Sequence, residues 1–257
     1  MRIVKSFPED RVFEWIRSER VKPKAISRAS PAWPGNFVSL LIPNTFEAYA
    51  KILHRIDARY EDPTSPLSES EIALLKIPPC TRLKQLVEHT RENSQGSRIR
   101  WARIAEILDV PIKAEICHEW FRTKLEPGCW PRLLWGPADG TLASEEVAEL
   151  ASILMPLRQS DQECFFRFPE IPFVLTDNPL LFQGSLSELT TFLEPYQFTF
   201  EYWWPSDRRW CVCSDYDLQF TIVGGSKDLI SRLLASEVLE TLEVTPQTRI
   251  DSFAPVG

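Results

Sequence analysis

The stretch Trp203–Ser226 reads W-W-P-S-D-R-R-W-C-V-C-S-D-Y-D-L-Q-F-T-I-V-G-G-S, and it gathers three tryptophans, two cysteines, three aspartates and a Gly-Gly pair. Three kinds of chemistry are open to such a set. Asp207, Asp215 and Asp217, with Glu201 just upstream, are carboxylates that could serve in acid–base work or hold a cation. Of Trp203 and Trp204, one is read as a core ring and the other as covering an edge or loop; the second reading makes the outward ring a stacking or partner-binding platform, with Trp210 near it, because exposed tryptophan is enriched at binding hot spots. Gly224-Gly225-Ser226-Lys227 joins a strand to a helix N-terminus, where N–H groups favour an anion. The spacing there is neither a Walker loop nor a dinucleotide fingerprint, and Asp228 takes the favourable electrostatic position itself. A tight turn and an N-cap are the reading of that segment. Asp207 at the turn after Pro205, and Asp215 and Asp217 around Tyr216, are equally read as turn formers.

Three histidines complete the inventory of acid–base groups: His54, His89 and His118. His54 lies among apolar neighbours and is the one that could pair with a carboxylate; in a core it would be satisfied by a neighbour. The cysteine groups Cys117-His118 with Cys129, and Cys211-x-Cys213, lack the C-x2-4-C spacing of zinc sites. No metal and no cofactor are expected. No G-x-S-x-G, H-E-x-x-H or EF-hand pattern occurs.

The elements that must position these residues follow from periodicity. Phe198, Phe200 and Tyr202 alternate with polar residues, so a strand leads into the Pro205-Ser206-Asp207 turn. Trp203 and Trp204, adjacent in a strand, must point to opposite faces. Trp210, Val212 and Ser214 fall on one face of a second strand with Cys211 and Cys213 on the other; Phe220–Val223 predicts a third strand. A helix from Lys227 to Leu234 follows, N-capped by Ser226, with Ile230, Leu233 and Leu234 as its stripe. Upstream, helices are predicted to about Arg17, after the capping box at Ser68, over Thr81–Arg91, from Trp101 to Leu108, over Ser144–Met155 and after Ser185. Further strands are predicted at Phe37–Ile42, Cys164–Phe168, Phe173–Leu175, Leu180–Phe182 and Leu242–Val244; Phe46–Ile56 fits both a helical and an alternating spacing, and a strand is read in its second half. The fold class is α+β: an antiparallel sheet, mainly from the C-terminal half, with helices packed on it. Residues 1–257 read as a single large domain, with a possible subdomain boundary in the Pro- and Gly-rich segment 126–140.

Composition bounds the function. The 257 residues carry a formal net charge of -7, with 44% hydrophobic and 25% charged side chains. That balance argues against nucleic acid as a partner, although Arg17–Arg28 and Arg98–Arg103 are locally basic. No apolar run approaches membrane-spanning length and no signal peptide is expected, so a cytoplasmic location is read. Six cysteines in a chain of this length fit reduced thiols.

Trp204-Pro205-x-Asp207-x-x-Trp210-Cys211-Val212, then Asp217 and Thr221-x-Val223-Gly224-Gly225-Ser226, resembles a widespread family of uncharacterised bacterial proteins. Phe46-x-x-Tyr49 running to His54, Arg100-Trp101 and Gly140-Thr141-Leu142 match it further, while Arg55 stands where that family's pattern has proline. This resemblance implies no activity. Leu181-Phe182 followed by Ser185-Leu186-x-Glu188-Leu189 and Phe192-Leu193 is similar to the SMI1/KNR4-like (SUKH) immunity-type domains, which implies a toxin-neutralising or partner-binding role. The function expected is therefore a binding or interaction protein, with an immunity-type role as its sharper form. It would present an acidic surface around Trp203, Trp204, Asp207, Trp210 and Asp217, with His54 near, to a basic protein partner. The alternative is an enzyme in which His54 and a nearby aspartate form an acid–base pair.

Overall fold

The structure is a computed structural model that describes residues 2–3, 9–22, 34–58, 98–125, 134–155, 163–168, 181–193 and 199–251. The chain divides into two compact units, one of residues 1–54 with 139–251 and a second built on 55–138. One junction, between residues 138 and 139, falls inside the segment 126–140.

The first unit is organised on an eight-stranded sheet of order β1-β7-β6-β8-β9-β10-β2-β11. Its strands are β1 (Arg2–Ile3), β2 (Ala48–Leu53), β6 (Cys164–Arg167), β7 (Leu181–Gly184), β8 (Tyr202–Pro205), β9 (Cys211–Cys213), β10 (Phe220–Gly225) and β11 (Glu240–Val244). Every neighbouring pair is antiparallel. The α+β class and the C-terminal weight of the sheet are as the periodicity predicts. The registers Val223↔Ala50, Val223↔Val212 and Phe166↔Trp203 put these side chains on one face. That face packs beneath α4 (Ser144–Leu154), α5 (Leu189–Leu193) and α6 (Lys227–Leu234), meeting Val147, Leu150, Leu189, Ile230 and Leu233 in one buried cluster.

The opposite face is covered too. Helix α1 (Glu9–Glu19) lays Phe13 against Tyr202 and Trp204, at ring separations of 4.9 and 5.9 Å. Arg167 and Glu201 form an ion pair, and the Arg167 guanidinium stands 4.7 Å over the Phe13 ring. Arg20 donates to the Tyr202 hydroxyl at 2.7 Å, and that hydroxyl donates to the Leu41 carbonyl at 2.9 Å. Charged groups thus ring the aromatic contact between α1 and the sheet, each with a partner that offsets its desolvation.

Local chemistry explains where elements begin and end. Ser226 accepts from the Leu229 N–H at 3.2 Å, the cap predicted for α6. The α6 stripe differs by one position: Leu229, Ile230 and Leu233 are buried, while Leu234 is 40% exposed. Glu188 accepts from the Ser185 N–H at 2.8 Å and opens a 3-10 turn, Leu186–Glu188, that runs into α5. The strand predicted at Phe37–Ile42 is instead a single bridge at Phe37 followed by a 3-10 turn, Val38–Leu40. There the Leu40 and Leu41 N–H groups bond back to Phe37 and Val38, while those of Val38 and Ser39 reach Thr248 and Pro246. The alternation at Phe198–Trp203 marks a strand that starts only at Tyr202. The elements predicted around Ser68, Thr81–Arg91 and Phe173–Leu175 lie outside the described residues, as does His89.

The second unit holds a three-stranded sheet, β4-β3-β5, of Ile56–Ala58 (β3) between Arg98–Ile99 (β4) and Leu134–Trp135 (β5). Helix α2 (Trp101–Leu108) buries Trp101, Ile104, Ala105 and Leu108, the predicted stripe, and ends at Asp109 in the left-handed region with φ of 54°. Trp101 meets Phe121 of α3 (His118–Thr123) at 5.2 Å.

Candidate functional site

Trp203 and Trp204 point to opposite faces of β8, as adjacent strand residues must. Both faces are covered, so neither ring reaches solvent: Trp203 is 0% exposed, Trp204 1% and Trp210 2%. Trp203 donates its indole N–H to the Phe200 carbonyl at 3.0 Å, and Trp204 stacks on Phe165 at 5.7 Å. The platform expected of these rings is overturned because both faces are covered: Trp203 and Trp210 lie in the cluster beneath α4 and α6, and Trp204 meets Phe13 of α1, a cover the local pattern does not announce.

The carboxylates divide as well. Asp207 sits in the β8–β9 turn, where it accepts from the Arg209 N–H at 3.3 Å and pairs with the Arg209 guanidinium at 3.5 Å. Asp215 and Asp217 sit in the β9–β10 turn, at the other end of β9, with Asp215 accepting from the Asp217 N–H at 3.0 Å. Asp207 and Asp217 therefore do not form one surface with the tryptophans, as the sequence reading placed them.

His54 lies at the β9–β10 end, its N–H donating to Gln219 O at 3.1 Å. Asp207 is at the opposite end of the sheet, which removes it as a partner for the ring. The His54 Nε2 lies 2.9 Å from Thr221 Oγ1, which lies 2.7 Å from Ser214 Oγ. All three side chains are buried. Such a chain satisfies polar groups inside a core, and its burial keeps the imidazole from a substrate.

What is accessible is the β9–β10 turn itself. Tyr216 is 47% exposed between Asp215 and Asp217. The charge of Asp217, then burial, then the charges of Asp215 and Glu201 push its phenol above the usual tyrosine range. Burial pushes the Asp215 carboxyl up. The turn is seated from below by Gly140, whose φ is +60° and whose missing Cβ leaves room for the Tyr216 backbone. Gly140 also donates its N–H to Leu218 O at 2.8 Å and accepts from Thr199 Oγ1 at 2.9 Å. The local pattern does not single out this aromatic because Tyr216 stands in the six-residue interval between β9 and β10, where its D-Y-D flanks read as turn chemistry alone. An exposed tryptophan does exist in the second unit: Trp135 is 57% exposed, on the strand face shared by Asp57 and Arg98. Its two-residue strand is too short to carry a period.

The Gly224-Gly225 pair is packing rather than a cradle. A Cβ on Gly224 would strike the Phe46 ring, and one on Gly225 the Leu229 side chain. The Lys227 N–H at the α6 terminus donates to the Glu47 carboxylate at 3.2 Å. Cys211 and Cys213 share the α1-side face and are buried, and burial pushes both thiols up. His118 stands 3.9 Å from Glu119, and Cys129 lies outside the described residues. Among the described residues no three His, Cys, Asp or Glu converge as a metal site would require, and no helix is long and apolar enough to cross a membrane. No family model, curated protein or solved structure matches this chain.

Proposed function

We propose that this chain is an interaction protein that receives a basic protein partner on the acidic β9–β10 turn, with Tyr216 rather than a tryptophan as its aromatic anchor. The observation that carries this reading is the exposed Tyr216 phenol standing in the field of Asp215, Asp217 and Glu201. A tyrosine supplies broad contact area with few rotors to freeze, and flanking carboxylates steer a cationic surface onto it. The immunity-type role implied by the SUKH resemblance is the sharper form of the same proposal, with a basic toxin as partner and the cytoplasm as its place. The rival, an enzyme using His54 with an aspartate, has less support, because the His54 ring is engaged with Thr221 inside the core.

The test is capture from the source cell's lysate by wild type, Tyr216→Ala and Asp217→Asn at low and high salt. A basic protein held by wild type, lost from both folded variants and released by salt is the expected result. Retention of the same proteins by all three sinks the proposal.

A further inference from the structure

Strand β11 is one margin of the large sheet. It pairs with β2 from Glu240↔Leu53 to Val244↔Tyr49. On its outer side the backbone groups of Thr241–Val244 have no hydrogen-bond partner among the described residues. An unpaired strand edge is a template for another strand, and proteins control what binds there by the charges they place on it. Here the charge is Glu243, which is exposed and enters no ion pair among the described residues. No lysine or arginine lies between Arg232 and Arg249 to offset it.

Register decides what such an edge rejects. Side chains directly opposite in an antiparallel pair share a face, so a second copy can pair only about a twofold axis through one residue. An axis through Glu243 opposes the two carboxylates directly, and an axis through Glu240 does the same for that residue. An axis through Leu242 sets Glu243 opposite Thr241 of the second copy, with no cation at either position. The formal charge of -7 opposes self-association further. A strand bearing lysine or arginine opposite Glu243 meets none of these penalties and gains a favourable cross-strand pair.

We infer that β11 receives an extended cationic segment of the partner as an added strand, backbone to backbone, with a lysine or arginine opposite Glu243. This rests on the proposal that the partner is basic, and adds to it the binding mode: main-chain hydrogen bonds supply affinity and Glu243 supplies selection.

The experiment titrates a fluorescein-labelled peptide of alternating valine and lysine into the full chain by anisotropy, beside Glu243→Lys, Glu243→Gln and Asp217→Asn. Amide exchange of Thr241–Val244 is read with and without saturating peptide. The inference expects slowed exchange at the alternate, outward-pointing amides of that stretch and roughly tenfold weaker binding by E243K, since an attractive cross-strand pair becomes a repulsive one. E243Q should fall between. Peptide binding that leaves these amides unprotected, or that E243K does not weaken, overturns the added strand; if D217N weakens it in that case, the acidic-turn proposal stands alone. Equal binding of a valine–glutamate peptide overturns selection by charge. A wild-type chain that binds no cationic peptide overturns the added strand, while the acidic-turn proposal stands or falls by the capture experiment.

Discussion

Replacing Trp204 by alanine separates two views of the tryptophan pair that differ by several kcal/mol. If the ring were a solvent-facing platform, its removal would change stability by no more than about 0.5 kcal/mol, as for ordinary surface substitutions. In the structure Trp204 is 1% exposed and lies between Phe165 and Phe13 at 5.7 and 5.9 Å. An indole burying about 150–250 Å² at about 25 cal/mol per Å² corresponds to roughly 4–6 kcal/mol, an upper bound because the unfolded chain already hides some of that area. Measured Trp→Ala losses of about 3–5 kcal/mol point to a central value of about 4. Against a total stability of about 5–15 kcal/mol, that leaves the first unit marginal. Trp204→Phe keeps a ring between Phe165 and Phe13 and should lose less than half as much. Two compact units make a single global transition an unsafe readout, so the assay is native-state hydrogen exchange at the β8 and β9 amides in mild urea. A loss under about 1 kcal/mol in W204A would refute the two-layer cover over this sheet and return the ring to the surface.

Three further outcomes follow from buried polar groups. Burial pushes Cys164 from 9.0 to about 12, and pushes the Cys211 and Cys213 thiols up as well. At pH 8 these three should resist iodoacetamide in the folded chain and react once it is unfolded, read by mass spectrometry; labelling of the native protein at Cys211 or Cys213 would refute their burial. The same shift sets a pH dependence. Above pH 9 the unfolded thiols release protons that the native ones keep, so stability is full below about pH 9 and declines as pH rises toward 12. Urea midpoints across that window give the slope, and a rise of stability there would contradict the assignment. Thr221→Val strips a partner from both the His54 ring and the Ser214 hydroxyl, so a loss of about 1–3 kcal/mol in thermal or urea unfolding is expected. An unchanged stability would show that the polar chain contributes nothing to the core.

Much of the scaffold is legible in the sequence because its signals are local. The Trp101, Ile104, Ala105, Leu108 spacing, the Ser226 cap and the alternation Trp210, Val212, Ser214 each describe a face that the fold then buries. The opposed directions of Trp203 and Trp204 are equally local, a property of any strand. What lies against each direction is not. Whether Trp204 meets water or Phe13 depends on a helix nearly two hundred positions away in the chain, and Glu9–Glu19 carries no mark of its docking site. The acidic site reads as one surface in the sequence and is not one in the fold, for a related reason. Asp207 and Asp217 are ten positions apart, but β9 runs between them and carries them to opposite ends of the sheet. At Phe37–Ile42 the apolar run forms no strand beyond Phe37, because its N–H groups find acceptors in an irregular segment near Thr248. Partners of that kind lie beyond the reach of a window.

The position of β2 in the sheet also governs how the chain is made. β2 is drawn from residues 48–53, yet its two neighbours are β10 and β11, near the far end of the sequence. A ribosome delivering this chain from its N-terminus releases β2 early and must then release the whole second unit before either edge of that strand can be paired. Its buried Ile52 and Leu53 stay uncovered through that interval, in a topology of high contact order whose closure waits on the longest loop. A chain cut short before β10 would hold an apolar strand with two open edges, the form in which nascent proteins are most prone to aggregate. The segment that carries β10 and β11 therefore acts as the lock on a strand made near the start, and translation that stalls before it leaves β2 without either of its neighbours in the large sheet.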